Sequence, residues 1–172
     1  RPRPGRSVRL WSLDFRQGSA FSLDSIAPDP SAPWSNYVRG VAWALAEKGI
    51  ALAGMDAVLR GTVPRGAGLS SSAALEVAAG LALLASSGQS LPLPDLALAC
   101  QRAENEFVGN RCGIMDQFIS ALGRAGHALF LDCRTLEHEH VPLPAGCRIV
   151  VANSMVRRAL VDSAYNERRA QC

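Results

Sequence analysis

Residues 63–76 read Val63-Pro-Arg-Gly-Ala-Gly-Leu-Ser-Ser-Ser-Ala-Ala-Leu-Glu76, and the fold is decided in this stretch. Gly66 and Gly68 let the backbone turn tightly and approach a ligand closely. Ser70, Ser71 and Ser72 then place hydroxyls and backbone N–H groups at the opening of a helix. The unpaired N–H groups and positive dipole end of a helix start suit a phosphate. The string is neither a Walker A loop, lacking Gly-Lys-Ser/Thr, nor a GxGxxG loop. An N-capping serine cluster after a flexible turn accounts for the same residues. On these residues alone both readings stand.

Outward from this loop, Ala73–Ser86 is apolar on nearly all sides, which predicts a central, buried helix. Upstream, Ala57–Val63 reads as a strand. Ser35 or Asn36 can cap a helix running to about Lys48, with Val38, Val41, Ala42 and Leu45 as its apolar stripe and Gly49 as its stop. Residues 27–33 carry three prolines and form a loop. Val8–Leu23 reads as two short strands flanking a turn that contains Gly18. Downstream, Gly88–Pro94 is a linker, and Asp95–Val108 a helix ending at Gly109. Gln117–Leu122 is a further helix. Residues 127–133, 138–143 and 148–152 alternate like three strands of one antiparallel sheet, and Ser163–Cys172 begins another helix. Strands and helices without regular βαβ alternation indicate an α+β fold.

The 172 residues are 48% hydrophobic and 19% charged, enough to bury a core and too apolar for a disordered chain. No apolar run reaches the ~18 residues needed to cross a bilayer. Five cysteines without CxxC spacing point to reduced thiols in a cytosol rather than a disulfide framework or structural zinc. The net charge of +3 owes much to Arg1, Arg3, Arg6 and Arg9. With no interleaved aromatic residues for base stacking, these read as a solvated end rather than a nucleic-acid arm.

A second constellation is Ala103-Glu-Asn-Glu-Phe-Val-Gly-Asn-Arg-Cys-Gly-Ile-Met-Asp-Gln-Phe118. Helical spacing puts Glu104 on the face of Leu96, Cys100 and Phe107, while Glu106 points to solvent. An inward carboxylate costs several kcal/mol unless paired or bound to a cation. Asp116, just before an apolar helix, reads on spacing alone as an ordinary N-cap. His138 and His140 would share one strand face, but no third ligand is evident, so a solvated strand edge is favoured over a metal site. Arg65 is an exposed loop arginine or an aid to nucleotide binding. Cys112 has no base beside it and reads as structural.

Pro64-x-Gly-x-Gly-Leu-Ser-Ser-Ser-Ala-Ala74 resembles the phosphate loop of the GHMP small-molecule kinases, which include galactokinase, homoserine kinase and mevalonate kinase. Gly109-Asn-Arg-Cys-Gly-Ile-Met-Asp-Gln117, Trp34-Ser-Asn-Tyr-Val-Arg-Gly40 and the tail from Asn153 to Cys172 are similar to the galactokinase branch. The resemblance implies an N-terminal-type GHMP domain (ribosomal protein S5 domain 2-like) over residues 1–145 and the start of a C-terminal domain over 146–172. It implies a cytoplasmic, monomeric kinase that uses ATP and Mg²⁺ to make galactose 1-phosphate, with no nucleic-acid or membrane partner. Asp116 would be the catalytic base, and Ser72 and Glu104 the magnesium ligands. Gly66, Ala67, Gly68, Leu69, Ser70, Ser71 and Ser72 would wrap the ATP phosphates, with Trp34 and Tyr37 lining the adenine side. Gly113, Asp116 and Tyr165 would contact galactose. The family's Arg-x-Asn-Leu-Ile-Gly-Glu-His-x-Asp segment and its C-terminal glycine-rich motif are not found, which reads as the middle of such an enzyme, with little activity alone. N-acetylgalactosamine kinase is the enzymatic alternative. A non-catalytic galactose sensor is the other, although sensors have a shortened serine–alanine loop and Ser70–Ala74 is complete here.

Overall fold

The computed structural model describes residues 1–153 and residue 171. Strand β1 (Ser7–Ser12) alternates strictly, burying Val8, Leu10 and Ser12 and turning Arg9 and Trp11 outward, as a half-covered strand must. It pairs antiparallel with β2 (Gln17–Ser22) and parallel with β3 (Met55–Leu59), giving a mixed sheet of order β2-β1-β3. The β1–β2 turn is Leu13–Arg16, with Arg16 in the left-handed region (φ +49°). Gly18 therefore lies inside β2 opposite Trp11, where an added Cβ would meet the indole at 3.3 Å. Its role is close approach, not turning. Strand β3 starts and ends earlier than the apolar run suggests, because its register on β1 begins at Met55 opposite Val8.

A 3₁₀ turn (Pro33–Ser35) leads into α1 (Asn36–Glu47). Val38, Val41, Ala42 and Leu45 are all fully buried, and Gly49 follows the helix with φ +80°. Neither expected cap operates. The Ser35 hydroxyl donates to the Ala32 carbonyl and accepts from Arg39, while the Asn36 carboxamide oxygen accepts from the Asp29 N–H.

Helix α2 (Ser71–Ser86) packs on α1, on α3 (Leu93–Arg102) and on α4 (Met115–Leu122). It is central, but not buried all round. Leu81 is 46% exposed beside exposed Ala78 and Ala85, because no described element covers that stripe. There a groove of about 800 Å³ opens between α2 and the sheet, lined by Leu10, Trp11, Ala57, Val58, Ala82 and Ala85. The opposite face of α2 is tight: a Cβ on Gly80 would come within 2.6 Å of Leu96 Cδ1 and 3.3 Å of Val41 Cγ1. Leu96 is fully buried and cannot swing into water. Gly80→Ala should therefore cost roughly 1–3 kcal/mol despite its better helix propensity. Denaturant unfolding is the measurement, and unchanged stability would show that the interface relaxes.

The chain continues from α3 into a π-helical stretch, Ala103–Val108, closed by Gly109 (φ +91°). Helix α4 then leads to an antiparallel ribbon of β4 (His127–Leu131) and β5 (His138–Pro142). The ribbon packs Leu129 and Leu131 against Phe118 and Ile114. Residues 148–152 form no third strand, and Ile149, Val150 and Val151 are strongly exposed. The expected helix over 163–172 lies outside the described residues, Gln171 excepted.

The N-terminal arginines reach solvent as expected, the Arg1 and Arg9 side chains being 82% and 55% exposed, but three of them also gather on one carboxylate. Arg9 makes two bonds to the Asp56 carboxylate, at 2.7 and 2.9 Å, and Arg1 and Arg3 approach the same group. Hydrogen bonding from Arg9 pulls the Asp56 carboxyl down to about 2. A depressed carboxylate stabilises the fold above its ordinary value near 4, and that contribution is lost as pH falls through about 2. The melting temperature of Asp56→Asn should accordingly fall less than the wild type's between pH 4 and pH 2. Parallel pH curves would show that the pairing is energetically idle.

Candidate functional site

The 64–70 loop approaches α2 with Gly66 (φ +69°), Gly68 (φ +72°) and Ser70 (φ +58°) all left-handed. For serine this conformation is uncommon, and it turns the chain sharply at the helix start. None of the three serines caps α2 through its side chain, so the capping explanation of the cluster fails. The first N–H groups of α2 have no acceptor within the helix, and they open beside an exposed loop. Arg65 of this loop stacks on Phe15 (4.3 Å to the ring centroid), and Phe15 stacks in turn on Trp34. The Trp34 indole N–H donates to the Gln17 carboxamide at 2.9 Å. Trp34 is thus tied to the loop through the β1–β2 turn.

One turn beyond Ser72, Glu76 points into the protein and is fully buried. Sequence reading passed over it as one more residue of an apolar helix. Glu104 on the π-helical stretch is buried as its spacing predicted, with Leu96 and Cys100 on the same face. The two carboxylates share the carboxamide of Gln117, whose Nε2 donates to Glu76 Oε2 at 3.0 Å and to Glu104 Oε2 at 2.6 Å. Asn110 Nδ2 donates to Glu104 Oε1 at 2.8 Å. The Cys112 thiol donates to Glu104 Oε2 at 3.3 Å. Cys112 is therefore not remote from a base. It sits against a carboxylate, and burial with that charge pushes its pKa up, so it stays a thiol and fits a structural role.

Glu76 Oε1 is buried with no hydrogen-bond partner among the described residues. Burial, then the charge of Glu104, holds the Glu76 carboxyl well above the usual range. The partners of both carboxylates are neutral, which leaves this pocket short of positive charge. Tyr37 feels the same field: burial, then Glu104 and Glu76, raise its hydroxyl to about 12.

Asp116 is the second residue of α4, which starts at Met115 after Ile114. It is not the N-cap that its spacing suggested. It is half-buried, has no hydrogen-bond partner among the described residues, and acts electrostatically on Glu76. Gly113 lies three residues earlier in the connection that Gln101 Nε2 holds by donating to the Cys112 carbonyl. Tyr165 is outside the described residues. Of the expected site residues, Glu104 is bonded to Gln117, a residue the sequence did not single out; Asp116 is its chain neighbour, and Ser72 lies one turn before Glu76, the other carboxylate that Gln117 holds.

His138 and His140 do share a face, their ring centroids 6.4 Å apart, and His127 lies 6.3 Å from His140. His140 Nε2 bonds to the Leu122 carbonyl, and His138 packs edge-on to Phe118. His138 and His140 seat the ribbon on α4, while His127 bonds to the Ala125 carbonyl. No group of three or more His, Cys, Asp or Glu among the described residues is arranged to hold a metal. A hard cation here would need ligand phosphate oxygens besides the protein's own. The donor set fits that case, because Glu104 Oε1 accepts one hydrogen bond and keeps an open lone pair, Glu76 Oε1 is buried without a partner among the described residues, and the Ser72 hydroxyl lies one turn before Glu76 on α2.

Residues 36–124 match the GHMP kinases N terminal domain. The galactokinases of Chloroflexus aggregans and Chloroflexus aurantiacus are 50% and 49% identical to this chain over all 172 residues, which span 44% of the length of each. Among solved structures, Lactococcus lactis galactokinase complexed with galactose superposes with a TM-score of 0.88 at 34% identity. The match covers 99% of this chain and 45% of that one. Mevalonate kinase of Methanococcus jannaschii shares the fold, with a TM-score of 0.58 at 16% identity over 70% of this chain and 39% of its own. No helix among the described residues is long and apolar enough to cross a membrane.

Proposed function

Because the chain belongs to the GHMP kinase family, we propose that it forms the phosphate-binding and catalytic part of a galactokinase. The reaction transfers the terminal phosphoryl group of ATP to the anomeric hydroxyl of galactose, giving galactose 1-phosphate and ADP. One observation carries this reading: Gln117 gathers the phosphate-loop helix, the Glu104 turn and the Asp116 helix around one polar pocket. The sugar assignment draws on the two Chloroflexus galactokinases and the galactose-complexed structure.

In this reading Gly66–Ser72 wrap the ATP phosphates with backbone N–H groups, and Trp34 and Tyr37 line the adenine side. Ser72 and Glu104 hold Mg²⁺, which neutralises developing phosphate charge when bound. Asp116 takes the proton of the anomeric hydroxyl, and Gly113 and Tyr165 contact the sugar. Positioning and charge neutralisation supply most of the rate in such transfers. Residues 1–145 make the N-terminal-type domain and 146–172 open the next, in a monomeric cytoplasmic enzyme. The free thiols of Cys100, Cys112, Cys133 and Cys147 support that compartment.

The test is ADP release by the intact native protein with galactose or N-acetylgalactosamine, and identification of the product by ³¹P NMR. Galactose-dependent release of ADP with a phosphate on C1 is expected. Preference for N-acetylgalactosamine would reassign the sugar, and turnover with neither would overturn the kinase reading.

A further inference from the structure

Helix α4 buries two consecutive residues completely, Phe118 and Gln117. The first packs as a core residue should. The second is a carboxamide where an apolar side chain would ordinarily stand, and its hydrogen bonds explain why. Nε2 carries two protons, and both are used: one on Glu76 of α2, the other on Glu104 of the π-helical stretch. A rotation of the amide by 180° would set its carbonyl oxygen against two carboxylates, so only one orientation is allowed. The carboxamide is a fixed bracket between three elements.

We propose that Gln117 is a positioning residue for the site, with Glu76 as its anchor. By holding Glu104 Oε2, it leaves Oε1 as the oxygen available to a cation. By bonding α4 to α2, it also sets the direction of the neighbouring Asp116. The π-helical geometry serves the same end, because the Gly109 and Asn110 N–H groups both close on the Glu104 carbonyl at 3.0 Å and Asn110 then returns its amide to the carboxylate. Glu76 is shut off from solvent. Its bond to Gln117 gives a buried carboxylate its place, and without Gln117 the two carboxylates would face each other unshared. Partners that orient a metal ligand typically change metal affinity or activity by about 10–100-fold when removed.

This inference rests on the kinase reading for the roles of Glu104 and Asp116, so its test includes a measurement that does not depend on turnover. In the intact native protein, Gln117→Leu and Gln117→Asn are compared with wild type. The Asn side chain is one methylene shorter and cannot span both carboxylates. Mn²⁺ is titrated in the presence of ATP by electron paramagnetic resonance, and kcat and the galactose KM are measured at saturating metal. Folding is followed by circular dichroism. Both variants should bind Mn²⁺ about 10-fold more weakly and lose about 10–100-fold in kcat, with the galactose KM within about threefold of wild type. A lower melting temperature with unchanged Mn²⁺ affinity and kcat would reduce Gln117 to a structural role and overturn the proposal. If Gln117→Leu does not fold, Gln117→Asn decides alone, and wild-type values in it would be fatal. A wild type that binds Mn²⁺ with ATP but phosphorylates no sugar sinks the kinase reading while the Mn²⁺ comparison still judges Gln117. A wild type that binds neither overturns both.

Discussion

Asp116→Asn should abolish phosphorylation in the intact protein, with kcat reduced by about 10²–10⁴-fold, while ATP affinity stays within about twofold. Asparagine keeps the shape of aspartate and its place in the first turn of α4 but cannot accept a proton at neutral pH. The prediction is clean because Asp116 contributes little else. It has no hydrogen-bond partner among the described residues and is only half-buried. Its favourable interaction with the helix dipole is worth about 0.3–1 kcal/mol. Its repulsion of Glu76 acts the other way, so the net change in stability is small. Lost turnover would therefore report chemistry rather than unfolding. Steady-state assay with a thermal melt checks both halves, and turnover surviving within about tenfold would remove Asp116 from the role of base.

Arg39→Met should destabilise the fold by about 3 kcal/mol, near the lower end of the roughly 3–5 kcal/mol seen when a buried ion pair loses one partner. Arg39 is only 6% exposed. Its guanidinium donates to the Ser19 and Ser35 hydroxyls, the Ala20 and Ala27 carbonyls and the Asp29 carboxylate, at 2.9–3.2 Å. It also lies 4.9 Å from the centroid of the Phe21 ring. These partners belong to β2, the proline-rich loop and the 3₁₀ turn, so one side chain of α1 ties three other segments to its helix. Methionine fills the volume but removes the guanidinium from all five acceptors. Asp29 is partly exposed and regains water, which is why the lower figure is expected. Lysine offers a point charge instead of a planar fork and should recover less than half of the loss. Urea unfolding with an unchanged slope is the measurement, and a change under 1 kcal/mol would show that the hub is redundant. The same segment carries Trp34 and, through Phe15, Arg65, so loosening it should also weaken ATP binding.

The elements legible in the sequence were those whose signal is local. The stripe Val38–Val41–Ala42–Leu45 and the stop at Gly49 gave α1 almost to the residue. Helical spacing from Leu96 put Glu104 inside. The serine loop before α2 was readable because glycine and serine there answer a backbone requirement that neighbouring residues cannot change. Where an outcome depended on a distant partner, the reading failed or fell short. That Arg1, Arg3 and Arg9 share one carboxylate was not readable, because Asp56, their counter-charge, lies some fifty residues on and arrives only by parallel pairing. Residues 148–152 alternate like a strand yet have no partner among the described residues.

By itself the sequence determined the α+β class, the glycine–serine loop and its helix, the inward carboxylate of Glu104 and the segment carrying Asp116. Periodicity and turn chemistry act within a few residues, and the motifs are contiguous. Only the tertiary structure decided that Glu76 is buried, that Gln117 brackets it to Glu104, that Arg39 is a hub and that Cys112 rests on a carboxylate. Each of these is a polar group placed in a low-dielectric interior, where burial is tolerable only if a partner from another element meets it. Which partner does so is a property of packing.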